Sequence, residues 1–150
     1  KQGLGYTGNS EQLKSVPESF TSFVKQLSQK LAASGRSLTL TLHAPNSAYK
    51  GYDYAALGKS ADKIIIMAYG YGKTPEPVNS VNQAVKNAVS KVPASKLVLG
   101  ISVPTETSDN LPAKVGIAKK YGLNGIAIWR LGLVTPQMWN MLRTSVIPIK

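Results

Sequence analysis

Lys63-Ile64-Ile65-Ile66-Met67-Ala68-Tyr69-Gly70-Tyr71-Gly72 starts as an apolar run of strand length and ends in two tyrosines, each followed by glycine. Apolar residues at consecutive positions suit a strand covered on both faces, the usual condition of a parallel sheet. A buried strand opening into an aromatic, glycine-rich loop is a common ligand position in α/β proteins. The alternative is a core strand followed by a plain turn, and the flanking sequence decides between them.

Upstream, Lys1 to Lys14 is polar and glycine-rich and reads as a loop. Ser15 and Glu18 have capping-box spacing with Pro17 in the first turn, so a helix is expected from there. Phe20, Phe23, Val24, Leu27 and Leu31 supply its apolar stripe, and Gly35 ends it. Leu38-Thr39-Leu40-Thr41-Leu42-His43 alternates strictly: a strand with leucines on one face and Thr39, Thr41 and His43 on the other. After a loop, Asp53 is a plausible N-cap for a short helix to about Ala61.

Downstream, Pro75 and Pro77 interrupt the chain, and Val78, Val81, Val85, Ala88 and Val89 mark the next helix. Lys96 to Val103 is a third strand; Leu111, Val115, Ala118 and Tyr121 mark a helix stopped by Gly122. Asn124 to Trp129 is a fourth strand, and a last helix runs from about Pro136 to Arg143, with Trp139 taken as packing. Strands begin near residues 37, 63, 96 and 125. Intervals of roughly 30 residues suit right-handed βαβ units, so the fold class is α/β with parallel βα units. A full (β/α)8 barrel takes about 250 residues. Four units make half of one, and a small open doubly wound sheet is the alternative.

Composition removes several chemistries. With no cysteine there are no disulfides, thiolate metal sites or cysteine nucleophile, and the single histidine, His43, excludes a His-rich metal centre. No cofactor is implied, with no GxGxxG and no P-loop, and no Gly-x-Ser-x-Gly elbow offers a serine nucleophile. No apolar run reaches the roughly 20 residues of a membrane span. Neither a signal peptide nor an initiator Met stands at Lys1, so the chain is expected to start after a cleavage or boundary. Eighteen basic against seven acidic residues give a formal charge of +11. Such a surface favours polyanions, but the lysines are scattered and no nucleic-acid-reading motif is present, so no specific nucleic-acid partner is expected.

In parallel α/β proteins chemistry gathers at the carboxyl ends of strands. The polar and aromatic residues there are His43, Asn46 and Tyr49, then Tyr69 and Tyr71, then Glu106, then Trp129 and Arg130. Asp53, Glu76, Glu106 and Asp109 also follow strands, a mild bias toward an acidic rim. Asp53 reads first as a helix cap, and Glu76 and Glu106 as loop charges.

Tyr52-Asp53-Tyr54-Ala55-Ala56-Leu57-Gly58 followed by Ala61 to Tyr69 resembles glycoside hydrolase family 18, the chitinase-like barrels, in its bacterial cell-wall and spore-cortex branch. Leu97-Val98-Leu99-Gly100-Ile101 is similar to that family's seventh strand, and Gly125 to Gly132 to its eighth. The resemblance implies the carboxyl-terminal half of a TIM barrel, strands five to eight, filling residues 1–150. It also implies substrate-assisted, retaining hydrolysis of N-acetylglucosamine polymers such as peptidoglycan or chitin. There a glutamic acid protonates the leaving oxygen and the substrate's own acetamide attacks the anomeric carbon. On this resemblance Tyr69 is the acetamide-positioning catalytic tyrosine and Trp129 the sugar floor; Met67 beside that tyrosine and Tyr71, His43 and Glu106 at the strand ends are taken as further substrate contacts.

The sequence departs from the family pattern in two places. The Asp-x-x-Asp-x-Asp-x-Glu motif carrying the general acid is absent, with only Gln2 near where its strand should end. The acid that usually follows the strand-six tyrosine is replaced by Gly70. The chain alone is therefore expected to be inactive. Its open strands call for a missing amino-terminal half-barrel or a second copy of the chain. A non-catalytic carbohydrate-binding barrel is the other expectation, and the resemblance places either one in the secreted, cell-wall or spore compartment of a bacterium.

Overall fold

A computed structural model describes residues 10–146. Gln2 and the Gly3 to Asn9 part of the expected loop lie outside them. The strands are β1 (Thr39–His43), β2 (Lys63–Met67), β3 (Leu97–Ser102) and β4 (Gly125–Trp129). The helices are α1 (Ser10–Ala33), α2 (Tyr54–Ser60), α3 (Val78–Val89), α4 (Leu111–Lys120) and α5 (Pro136–Ser145).

The strands pair in parallel in the order β1-β2-β3-β4. This order separates the two expected topologies. A doubly wound sheet reverses its strand order at a switch point, which sends helices to both faces. Sequential order with right-handed crossovers keeps every helix on one face, as in a barrel. The sheet is thus a four-strand barrel segment, with β1 and β4 as its edges among the described residues.

Burial follows the pleat. Leu42, Ile64, Ile66, Leu97, Leu99 and Ile101 point outward under the helices and are buried. They join Val24, Leu57, Val81, Val85, Leu111, Val115 and Leu142 in one core. Their neighbours Thr41, Ile65, Val98 and Gly125 share the opposite, inner face by register, as do His43, Met67, Gly100 and Ala127 one row higher. Thr41 is exposed and the other residues of its row are half-buried. At the amino ends of the strands, Asp62 accepts from the Leu38 amide at 2.6 Å, and the Lys96 ammonium donates to the Gly58 and Ala61 carbonyls at the end of α2.

Helix α1 corrects the sequence reading. It starts at Ser10, so Ser15 and Glu18 do not cap it and Pro17 lies inside it. A proline there removes one helical hydrogen bond, to the Leu13 carbonyl, at a cost of about 3 kcal/mol to the helix. Trp139 also departs from expectation: it is 41% exposed on α5, beside the half-buried outer side of β4.

Candidate sugar site at the carboxyl ends of the strands

Register brings the first candidates together. His43 and Met67 are paired neighbours on the inner face, and Met67 is next to Gly100. Strand β2 ends at Met67, so Tyr69 stands just past the sheet. Its ring lies over Gly100: a Cβ there would sit 3.3 Å from Tyr69 Cε1 and 2.8 Å from the Ile66 carbonyl oxygen. Gly100 therefore leaves the space that Tyr69 fills, a close approach that a glycine inside a strand commonly marks. Among the described residues the Tyr69 hydroxyl has no hydrogen-bond partner, and burial pushes its ionisation above the ordinary tyrosine value. It is a neutral phenol with its O–H available.

Beside it opens a cleft of about 490 Å³ lined by His43, Asn46, Tyr49, Tyr69 and Tyr71 among others. Tyr71 is not free in the same way. Its hydroxyl donates to Asn46 Oδ1 at 2.9 Å, and Asn46 Nδ2 donates to the Ser80 carbonyl at 3.0 Å. His43 is stacked flat on Tyr49, with ring centroids 3.7 Å apart, and Tyr52 lies 6.5 Å away on a nearly parallel plane. Burial pushes the His43 imidazole below its ordinary value, so it stays neutral where a free histidine begins to protonate. Its backbone carbonyl accepts from the buried Tyr54 hydroxyl at 2.9 Å.

Trp129 ends β4 opposite Ser102, so it belongs to the same inner face, and it is 56% exposed. An exposed indole at a strand's carboxyl end offers a flat apolar surface of the kind a sugar ring can cover.

Glu106 is not part of this group. Its side chain is 1% exposed and accepts from Lys114 of α4 at 2.8 Å. It is neither a loop charge nor exposed toward the cleft, because a carboxylate at that depth requires a cation and Lys114 supplies it. Glu76 is likewise not a solvated loop charge: it is buried and accepts from the Gly70 and Tyr71 amides at 2.8 and 3.1 Å. Asp53 caps α2 through the Ala56 amide, as expected. Of the acidic rim inferred from sequence, Asp53, Glu76 and Glu106 are thus engaged within the protein, and Asp109 is exposed ahead of α4. Gly100 is the contributor that sequence reasoning missed; Asn46, a strand-end candidate, and Glu76, read as a loop charge, turn out to hold Tyr71 and the amides beside it. Among the described residues no group of three His, Asp or Glu side chains is placed to hold a metal.

Comparison with known proteins bears on the family and the fold. The model of the glycosyl hydrolases family 18 matches residues 5–112, more than two-thirds of the chain. The chain belongs to glycosyl hydrolase family 18. The matched span runs from α1 through β3 to the start of α4 and stops short of β4 and Trp129. The chain is 31% identical over 108 residues to the putative sporulation-specific glycosylase YdhD of Bacillus subtilis, covering 65% of this chain and 26% of that protein. It is 21% identical over 203 residues to the cortical fragment-lytic enzyme of the same organism, covering 89% and 47%. The chain thus spans less than half the length of these curated relatives. Among solved structures, a chitinase from Chromobacterium violaceum superposes with a TM-score of 0.77 at 20% identity, over 86% of this chain and 61% of the other. The spore cortex-lytic enzyme SleL of Bacillus megaterium gives 0.78 at 19%, over 86% and 46%. At such identities these likenesses establish the fold: β1 to β4 form part of a family 18 TIM barrel.

Proposed function

We propose that residues 1–150 are the carboxyl-terminal half of a family 18 barrel acting on N-acetylglucosamine-containing wall polymer, peptidoglycan or chitin, by substrate-assisted retaining hydrolysis. The supporting observation is Tyr69, whose ring lies over Gly100 and whose hydroxyl has no hydrogen-bond partner among the described residues, on the same inner face as the exposed Trp129. A neutral phenol donates to an acetamide carbonyl and holds it for attack on the anomeric carbon, and an indole supports the sugar's apolar face. His43 and Tyr71 line the cleft beside Tyr69, and Met67 is next to His43 on the inner face. The names of the cortical fragment-lytic and sporulation-specific relatives favour a secreted, wall- or spore-associated setting.

The general acid is to be supplied by the first half of the barrel, which also covers β1, β4 and the inner face. Of the carboxylates that follow strands, Asp53, Glu76 and Glu106 are engaged in capping, bracing and pairing, and Asp109 lies in solvent ahead of α4. None is left to protonate a leaving group beside Tyr69. The chain alone therefore binds without cleaving. The same observation supports a second reading, a carbohydrate-binding barrel that has lost its acid.

The test is to titrate the chain with N-acetylglucosamine tetramer and to incubate it with chitin oligomers and peptidoglycan fragments. Binding weakened roughly tenfold by Tyr69→Phe or Trp129→Ala, without release of reducing ends, is expected. Release of reducing ends by the chain alone overturns the inactivity, and binding indifferent to both substitutions overturns the site.

A further inference from the structure

Glu76 is 3% exposed in a loop, where a carboxylate ordinarily seeks water. Its two oxygens are used separately: Oε1 accepts from the Gly70 amide at 2.8 Å and Oε2 from the Tyr71 amide at 3.1 Å. Gly70 has φ of +82°, a left-handed conformation that glycine adopts without penalty. Charge-assisted bonds of this type are about twice as strong as neutral ones. The ring of contacts then closes on itself. Tyr71 donates to Asn46 and Asn46 to the Ser80 carbonyl on α3, the helix that begins two residues after Glu76. The loops following β1 and β2 are thereby tied to one helix start. Tyr69, one residue before the first braced amide, has no hydrogen bond of its own to fix it among the described residues.

We propose that Glu76 is a positioning residue for Tyr69: by holding the Gly70 and Tyr71 amides it fixes the backbone from which the Tyr69 ring projects over Gly100. This rests on the reading of Tyr69 as the acetamide partner. Gly70 is exposed, so water takes the vacated amides when the carboxylate is removed. The barrel segment then stays folded while Tyr69 loses its fixed place.

The experiment compares wild type, Glu76→Ala and Glu76→Gln in the 150-residue chain by NMR, with melting temperature as a control for folding. In Glu76→Ala, hydrogen exchange at Gly70 and Tyr71 should accelerate roughly ten- to hundredfold, the loss of a hydrogen bond to a charged group. The Tyr69 ring to Gly100 contact should weaken, and affinity for N-acetylglucosamine tetramer should fall about tenfold. Glu76→Gln keeps one acceptor oxygen and should recover part of each effect. If Glu76→Ala leaves amide exchange and the Tyr69 to Gly100 contact unchanged, Glu76 does not position the tyrosine. If Glu76→Ala does not fold, Glu76→Gln decides alone: wild-type exchange at both amides overturns the proposal. If the wild-type chain fails to bind the tetramer, the sugar reading of Tyr69 falls, while the exchange and ring-contact readouts still judge Glu76.

Discussion

Replacing Lys114 by methionine should be among the most damaging single changes in this protein, and replacing its partner as well should undo most of the damage. Lys114 and Glu106 are 2% and 1% exposed and meet at 2.8 Å. At an effective dielectric constant near 20 their attraction is about 6 kcal/mol. Desolvating each ion costs several kcal/mol, so the intact pair is close to neutral against an apolar pair of similar volume. Removing only the lysine leaves a buried carboxylate without its cation, a loss of about 3–5 kcal/mol. A domain of this size holds roughly 5–15 kcal/mol in total, so Lys114→Met should remain folded with a sharply lowered urea midpoint. Glu106→Leu should behave similarly, and the double variant should return to within about 1–2 kcal/mol of wild type. The assay is a double-mutant cycle by urea unfolding at neutral pH, repeated at high salt, which screens buried pairs little. Additive single effects, or a loss below about 1 kcal/mol for Lys114→Met, would refute a buried structural pair and return Glu106 to the candidate sugar contacts.

Two further outcomes follow from the same geometry. Gly100→Ala places a Cβ 2.8 Å from the Ile66 carbonyl oxygen and 3.3 Å from Tyr69. Destabilisation of about 1–3 kcal/mol by urea unfolding is expected, with a shifted Tyr69 ring resonance; an unchanged midpoint and resonance would show that the close approach is absent. His43, the single histidine, should titrate by NMR below its ordinary 6.5 because burial disfavours its charged form. The unfolded chain then binds the proton first, so stability is fully present above 6.5 and falls as pH drops from there toward the folded value. A midpoint at or above 6.5 would contradict the burial.

The sequence made the layer order legible and left the polar connections hidden. The alternation from Leu38 to His43 is a local periodic signal and puts Leu42 under the helices; the run of Ile64, Ile65 and Ile66 marks a strand whose Ile64 and Ile66 pack there while Ile65 is on the inner face. The parallel register and the family resemblance then brought Met67 and Tyr69 to the correct end of the sheet. Glu76 and Glu106 were misjudged because a charge's burial depends on what meets it. The partners of Glu76 are backbone amides, which side-chain patterns do not display. The link from Asn46 to Tyr71 crosses 25 positions of chain. Gly100 carried a signal, a lone glycine in an apolar strand, but nothing in the sequence identified Tyr69 as the group above it. Helix α1 was started too late because a proline favours a first turn in general, and here it lies within the helix.

The alternation along each strand also divides the gene. Even-numbered positions of β1 and β2 and odd-numbered positions of β3 face the helices and are held by close packing. The intervening codons, Gly100 and Ser102 excepted, specify inner-face side chains that are half-buried or exposed in this segment. The two sets of codons therefore answer to different demands: the outer set to the helices packed on it, the inner set to whatever covers that face and to the sugar site proposed at its upper rim.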